Sequence, residues 1–152
     1  MPLSGLIILI ADKNPNIRSL IMRELRSDGY HVRNAGTVSE ILYHVSGLSG
    51  HPILLILDPD LPDAEHASLE KVLNERIPQI PIIIHALKPD HLNQNRFIHA
   101  REIIEKDDKS IEILKKAVEK MLDLFPGTHF IDEVIKEDVN MHNLSSGQKG
   151  KF

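Results

Sequence analysis

The stretch ILLILD, residues 53–58, is apolar at every position until it ends at Asp58. A run of this kind is typical of a central strand in a parallel sheet, because such a strand is covered on both faces. The stretch LIILIAD, residues 6–12, has the same character and ends at Asp12. We therefore expect two central strands, at 6–10 and 53–57, that each deliver a carboxylate to one edge of a sheet.

Three further strands are predicted on either side of these two. Residues 30–35 form a shorter and more polar run, which suits an edge strand. Residues 80–84 predict a fourth strand, whose start is marked by Pro78 and Pro81, and residues 102–105 predict a short fifth strand. Because strand and helix patterns alternate along the chain, the sequence indicates βα units around a parallel sheet.

Helical patterns separate the predicted strands. Asn14 as N-cap and Pro15 at the first position begin a helix that closes near Gly29. Thr37 and Glu40 have the spacing of a capping box at the start of the second helix. The remaining predictions are a third helix with Leu69, Val72 and Leu73 buried, a polar candidate over 88–99, and an amphipathic helix over 110–124 with Ile111, Leu114, Val118 and Met121 on one face.

The composition bounds the class of protein. A length of 152 residues fits one domain, predicted at residues 1–125, with a polar extension at 126–152 that we expect to be flexible. The chain has no cysteine, which excludes disulfide scaffolds, cysteine zinc sites and thiol nucleophiles. Its formal charge of −4 is the wrong sign for a nonspecific nucleic-acid binder, and it has no apolar run of about 20 residues that could span a membrane. We expect a cytoplasmic protein that binds neither nucleic acid nor membranes.

Polar residues follow three of the predicted strands, at the edge where parallel sheets bind ligands. Asp12 and Lys13 follow the first strand, Asp58 and Asp60 the third, and Lys106 the fifth. Clustered carboxylates beside an ammonium group suit Mg²⁺ binding and phosphoryl chemistry, and an aspartate can itself accept a phosphoryl group. Alternatively, these acids only end strands and form turns, as aspartate often does.

Four segments of the chain occur in an order that is characteristic of one known family. They are ILIADKNPNIR at 8–18, ILDPDLP at 56–62, IPIII at 80–84 and IIEK at 103–106. Together they resemble the response-regulator receiver domain of two-component signalling, and the likeness runs from about Leu6 to Leu124. It implies a flavodoxin-like (CheY-like) α/β fold, which is a three-layer, doubly wound parallel sheet of five strands in the order 2-1-3-4-5 with five helices.

The resemblance implies a role for several residues. Asp58 is implied as the phosphoacceptor, Asp12 as one member of an acidic pair, and Lys106 as the phosphate-binding lysine. Asp12, Asp58 and the backbone carbonyl of Asp60 are implied as the acidic pocket that binds Mg²⁺.

Four positions depart from the family's pattern. Lys13 replaces the second acid of the pair, Ile103 replaces an aromatic switch residue, and Asp107 replaces a proline. The hydroxyl residue that ends the family's fourth strand aligns with Ala86, or with His85 if the strand is one residue shorter. Without that hydroxyl, a phosphorylated aspartate would lack a contact that biases a two-state switch.

Lys13 and His85 change what the pocket can bind. An ammonium group in place of a carboxylate changes the local charge by two units, so we expect Mg²⁺ binding to be weakened. Alternatively, Lys13 lies between Asp12 and Asp58 as a built-in cation. Among nine histidines, only His85 falls at a predicted strand end near the pocket, where it either bonds a phosphoryl oxygen or Asp58, or is simply packed or faces solvent.

Two functions agree with these patterns. The first is a receiver module in phosphorelay signal transduction, whose aspartyl phosphate forms on Asp58 and whose partners are a histidine kinase or phosphotransfer protein and a downstream protein. The second is a pseudo-receiver, a phosphorylation-independent interaction scaffold, which is favoured by Lys13, Ala86, Ile103 and Asp107. We do not expect an enzyme, since a phosphatase of related topology would need two working metal carboxylates and Lys13 removes one. Partner docking, or homodimer formation, is expected on the face of the fourth and fifth strands and the last helix.

Overall fold

The structure is a computed structural model that describes residues 6–46, 50–64, 69–76, 79–88 and 96–124. Its strands are β1 (Ile7–Ala11), β2 (His31–Ala35), β3 (Pro52–Leu57), β4 (Ile82–Ala86) and β5 (Ala100–Glu105). The helices in those ranges are α1 (Pro15–Ser27), α2 (Val38–Val45), α3 (Leu69–Glu75) and α4 (Ser110–Leu124). The five strands are parallel and pair in the order β2-β1-β3-β4-β5. The predicted fold class is therefore confirmed.

The core forms where apolar strands meet apolar helix stripes. Every residue of β1 and of β4 is buried, as the uninterrupted apolar runs predict for strands covered on both faces. One cluster joins alternate residues of β1, β3 and β4 to the inner faces of α2 and α3, among them Leu9, Leu55, Ile84, Ile41 and Leu73. Each fully buried side chain of this size contributes about 1.5–3 kcal/mol to folding. The sheet belongs to the compact unit Leu3–Ala117, and Val118–Phe152 is a second unit.

The fourth strand begins two residues later than the sequence indicates, because of Pro81. A proline has no N–H to donate, so the ladder starts after it, where Ile82 pairs with Leu55. The carbonyl of Pro81 accepts a hydrogen bond from Leu55 N at 3.0 Å. The strand also ends two residues later than predicted, so it includes His85 and Ala86, whose side chains point to opposite faces of the sheet.

The start and the end of α1 lie where the sequence predicts them. The Asn14 side chain accepts hydrogen bonds from Asn16 N at 2.9 Å and Ile17 N at 3.3 Å, and Pro15 is the first helical residue. After the helix, Gly29 has a φ of 97°, a conformation that glycine adopts without strain.

The start of α2 has more hydrogen bonds than the predicted capping box provides. Thr37 caps it as predicted, accepting from Glu40 N at 3.1 Å, but the Glu40 carboxylate reaches back to Gly36 N instead of Thr37 N. Asp63, from the loop after β3, accepts hydrogen bonds from Val38 N at 2.7 Å and from Ser39 N at 3.1 Å. The sequence around Thr37 gives no indication that the Asp63 carboxylate lies at the start of this helix.

Some predictions about helices are corrected or lie outside the described residues. Val72, predicted to be buried in α3, is 37% exposed, whereas Leu69 and Leu73 are buried. Of the candidate helix over 88–99, residues 89–95 lie outside the described residues, and 96–99 form a bend and a turn. The extension at 126–152 also lies outside them. Within the described ranges, no helix is long and apolar enough to cross a membrane.

Candidate functional site

Asp12 and Asp58 lie side by side at the carboxyl edge of the sheet. Ala11 of β1 is paired with Leu57 of β3, so the acids that follow them, Asp12 and Asp58, lie next to one another at the ends of these strands. The hydrogen bond from Asp58 N to Ala11 O, 2.9 Å long, fixes this placement. Asp12 is 2% exposed and Asp58 is 5% exposed. Two carboxylates buried together repel one another, so they need a cation.

Lys106 supplies that cation. Its Nζ lies 2.7 Å from Asp12 Oδ2 and 2.5 Å from Asp58 Oδ2, and its side chain is 11% exposed. Lys106 N also donates to Ala86 O at 2.8 Å, which places the residue at the end of β5 beside β4. Burial lowers the pKa of Lys106, but hydrogen bonds to the two carboxylates more than offset this effect, so the net pKa is raised. The ammonium form is therefore the one that holds the two acids together at neutral pH.

The other carboxylate oxygens accept hydrogen bonds from the chain. Asp12 Oδ1 accepts from Asn14 N at 2.9 Å, and Asp58 Oδ1 accepts from Asp60 N at 2.9 Å. Both bonds span two residues, as in the turns that aspartate commonly forms. Asp12 and Asp58 therefore do form turns, as the alternative interpretation predicts, and in addition both of them contact Lys106.

Lys13 does not lie between Asp12 and Asp58, so the prediction of a built-in cation at that point is wrong. Its Nζ contacts Asp60 Oδ2 at 2.7 Å, and its side chain is 52% exposed. The hydrogen bond and the charge of Asp60 raise the pKa of Lys13. The bridging position is already occupied by Lys106, which comes from a separate strand.

An open cleft of about 430 Å³ lies over these groups. Three acids and three lysines line it, namely Asp12, Asp58, Asp60, Lys13, Lys88 and Lys106. The remaining lining residues include Ala86 and Leu87 at the end of β4. Of the two residues that the sequence leaves open for this position, Ala86 is the one that lines the cleft, and its side chain is a methyl group.

His85 lies on the other face of β4. It is 2% exposed, and its Nε2 is 3.0 Å from Ser110 Oγ. Because Ser110 Oγ donates to Asp107 O at 3.0 Å, the hydroxyl accepts from His85 Nε2, which must carry the proton. Burial, followed by the charge of Lys106, lowers the pKa of His85. The expectation that His85 bonds Asp58 or a phosphoryl oxygen is not supported by these contacts, and the packed alternative describes the residue.

The two other departures from the family's pattern have structural roles here. Ile103 pairs with Ile84 and packs against the core cluster. Asp107 accepts from Lys109 N at 2.8 Å through Oδ1, and from Ser110 Oγ through its carbonyl, so it connects β5 to the start of α4.

Sequence reasoning missed Arg18 as a part of the site. Its guanidinium donates to the carbonyl of Asp12 at 2.6 Å and to Asn34 Oδ1 at 3.1 Å, which fixes the end of β1 against β2. Gly36 makes room for it, since a Cβ there would lie 2.8 Å from the guanidinium. A single arginine in a helix carries no local sequence signal of this kind.

The donor set fits a resident Mg²⁺ poorly. The hard oxygens of Asp12 and Asp58 share one ammonium, and Lys13 brings a second ammonium to the neighbouring Asp60. Mg²⁺ needs oxygen ligands in near-octahedral arrangement, which protonated amines cannot provide. In the parts of the chain that the structure describes, no three histidine, aspartate or glutamate side chains are arranged to hold a metal ion.

Comparisons with known proteins find that this chain is similar to several solved structures. No protein-family model matches the sequence, and no curated protein sequence matches it. The response regulator TrrA from Thermotoga maritima, solved in complex with Mg²⁺-BeF, is 27% identical, covers 77% of this chain and 99% of its own, and has a TM-score of 0.66.

Two further structures agree with this likeness. TrrA solved in complex with the histidine kinase ThkA is 28% identical, covers 77% of this chain and 98% of its own, and has a TM-score of 0.62. A CheY-like receiver domain from Methanospirillum hungatei is 24% identical over 79% of this chain and 96% of its own, with a TM-score of 0.62, and bears on the fold alone. The resemblance to response-regulator receiver domains is confirmed.

Proposed function

We propose that the chain is a receiver module of two-component phosphorelay signalling, with Asp58 as its phosphoacceptor. The observation that carries the proposal is the placement of Asp58 at the end of β3, where its carboxylate faces an open cleft and contacts the Lys106 ammonium. Such a cation neutralises phosphoryl oxygens, while the carboxylate is the nucleophile. A cytoplasmic location is part of the proposal.

The chemical step is the transfer of a phosphoryl group to an oxygen of Asp58. In a phosphohistidine donor the P–N bond breaks and its electron pair stays on the imidazole nitrogen, which takes a proton from water. An O–P bond forms on Asp58, and an aspartyl phosphate results. Lys106 stays charged through the step, because its pKa is raised in the folded protein, and it balances the added negative charge.

The proposed phosphoryl donor is a histidine kinase or a phosphotransfer protein. The complex of TrrA with the kinase ThkA supports such a partner for a chain of this fold. For the downstream protein, or for a second copy of this chain, we propose the face of β4, β5 and α4. Leu87 after β4 and Ile113 on α4 expose large apolar side chains there, which suits protein contact.

Acetyl phosphate tests the phosphoacceptor directly. The full chain is incubated with acetyl phosphate and MgCl₂, and intact mass spectrometry counts phosphoryl groups. We expect one phosphoryl group on the native chain and none on Asp58→Asn. Asp108→Asn is the matched control, since Asp108 is exposed and does not line the cleft, and it should accept one group. Equal labelling of Asp58→Asn and the native chain would refute the assignment.

A pseudo-receiver is the second candidate function, and two observations favour it. Ala86, one of the two residues that align with the family's hydroxyl, lines the cleft with a methyl group, and Lys13 is ion-paired with Asp60 beside the acids. A folded native chain that takes no phosphoryl group from acetyl phosphate, and none from a phosphorylated histidine kinase, would support this candidate over the first. An interaction scaffold of this kind would use the same exposed face.

A further inference from the structure

We propose that Lys13 replaces the divalent cation of the site, so that the cleft accepts a phosphate-like anion without any metal ion. The inference rests on the proposed function and identifies the cation on which that function depends. It is based on the charges and contacts of the cleft, in which lysines and acids occur in equal number.

The formal charges of the cleft cancel. Its lining contains three carboxylates and three ammonium groups. If residue 13 were an aspartate, the same lining would hold four carboxylates and two ammonium groups, a deficit of two positive charges. One divalent cation supplies two positive charges, so the lysine makes up for the metal ion in charge.

The contacts give this charge balance a definite geometry. Lys106 contacts Asp58 Oδ2 directly, while Asp58 Oδ1 accepts from the backbone of Asp60, whose side chain holds Lys13. Asp58 Oδ2 thus contacts one ammonium group directly, and its Oδ1 bonds the backbone of the residue whose side chain holds the second. Lys106 is almost buried, whereas half of the Lys13 side chain is exposed, so Lys13 is the more accessible of these two cations to an incoming anion.

Metal binding by the native chain and three variants is the first test. Mg²⁺ is titrated into the native chain, Lys13→Asp, Lys13→Gln and the charge-matched control Lys116→Asp, whose lysine is exposed on α4. Isothermal titration calorimetry reads the affinity. We expect Lys13→Asp to bind Mg²⁺ at least about tenfold more tightly than the native chain, because it adds a hard ligand and removes an ammonium group. Lys13→Gln should fall between them, and Lys116→Asp should match the native chain.

Anion binding without metal is the second test. Inorganic phosphate is added in the presence of EDTA, with chloride at equal ionic strength as the reference, and the thermal unfolding midpoint is measured. We expect phosphate to raise the midpoint of the native chain and of Lys116→Asp, and to leave Lys13→Asp unchanged unless Mg²⁺ is supplied.

Two results would overturn the inference. One is a native chain that binds Mg²⁺ as tightly as Lys13→Asp, and the other is a native chain that phosphate stabilises only when Mg²⁺ is present. Neither measurement requires a covalent adduct. A chain that binds phosphate in EDTA but is never labelled by acetyl phosphate would therefore refute the phosphoacceptor proposal and leave the role of Lys13 intact.

Discussion

At the scale of single residues, the site depends on the Lys106 ammonium group. Asp12 and Asp58 are both buried, and each directs one oxygen at its Nζ. A buried ion pair is weak evidence for net stability, but removal of one partner leaves an uncompensated charge behind. Here removal of the lysine would leave two such charges in contact.

Lys106→Met should therefore destabilise the protein markedly. Methionine keeps most of the side-chain volume, so the loss is mainly electrostatic, and we expect the free energy of unfolding to fall by about 3 kcal/mol near neutral pH. Urea unfolding followed by circular dichroism measures it. The exposed Lys116→Met is the matched control and should change stability by less than about 0.5 kcal/mol. Equal stabilities for the two variants would contradict the bridging role.

At the scale of elements, the end of β4 at Ala86, two residues later than predicted, determines how its last two side chains are directed. Because the strand extends to Ala86, His85 faces Ser110 at the start of α4, and Ala86 faces the cleft. If β4 ended at residue 84, as predicted, strand geometry would not set the directions of the His85 and Ala86 side chains. The histidine thus becomes a buried, neutral contact between β4 and α4.

His85 should make folding stability depend on pH. Its pKa lies below 6.5 in the folded chain, because burial and Lys106 disfavour the charged ring, so below pH 6.5 the unfolded chain binds a proton that the native chain does not. The free energy of unfolding then falls with decreasing pH, by up to about 1.4 kcal/mol per pH unit for this one group. The contribution is fully present above pH 6.5 and is lost as the pH falls toward the native pKa.

The variant His85→Gln isolates this effect. Glutamine keeps an N–H for Ser110 but does not titrate, so the decline of stability between about pH 7.5 and about pH 5 should become shallower. Urea unfolding at several pH values measures the slope, with the exposed His31→Gln as the matched control. If His85→Gln and native chains show the same slope, His85 is not buried in its neutral form.

Asp63 should stabilise the start of α2 only while it is ionised. Hydrogen bonds from Val38 N and Ser39 N lower its pKa below 3.8, so its contribution is present above that pH and is lost as the pH falls through the native pKa. In Asp63→Ala the amides of Val38 and Ser39 should exchange with solvent faster near neutral pH. Hydrogen exchange by NMR detects this, and Asp108→Ala, at an exposed position, should leave both amides unchanged. Unchanged exchange in Asp63→Ala would rule out the cap.

At the scale of the whole molecule, periodicity and strand ends predict the fold well. Apolar runs such as 53–57 can only be covered on both faces, and an acid at the end of two neighbouring parallel strands must lie at one edge. The places of Asp12 and Asp58 follow from that rule, and Lys106 is predicted at the same edge because it follows the fifth strand. The structure brings the three residues together. The boundary of the domain at residue 125 stays a prediction.

Contacts between elements are what the sequence does not reveal. Arg18, Asp63 and Ser110 each contact a strand or helix at least 16 residues away along the chain, so no local spacing marks them. The contact of Lys13 with Asp60 is not evident from the sequence for a similar reason. The sequence puts it next to Asp12, but the choice between Asp12, Asp58 and Asp60 depends on where Lys106 lies.

The central claim is that this edge of the sheet receives a phosphoryl group on Asp58, and peptide mapping tests it most directly. The full native chain is treated with acetyl phosphate, the acyl phosphate is trapped by borohydride reduction, and proteolytic peptides are sequenced by mass spectrometry. We predict one modified residue, Asp58. A modification at another acid, with Asp58 unlabelled in the folded chain, would contradict the account.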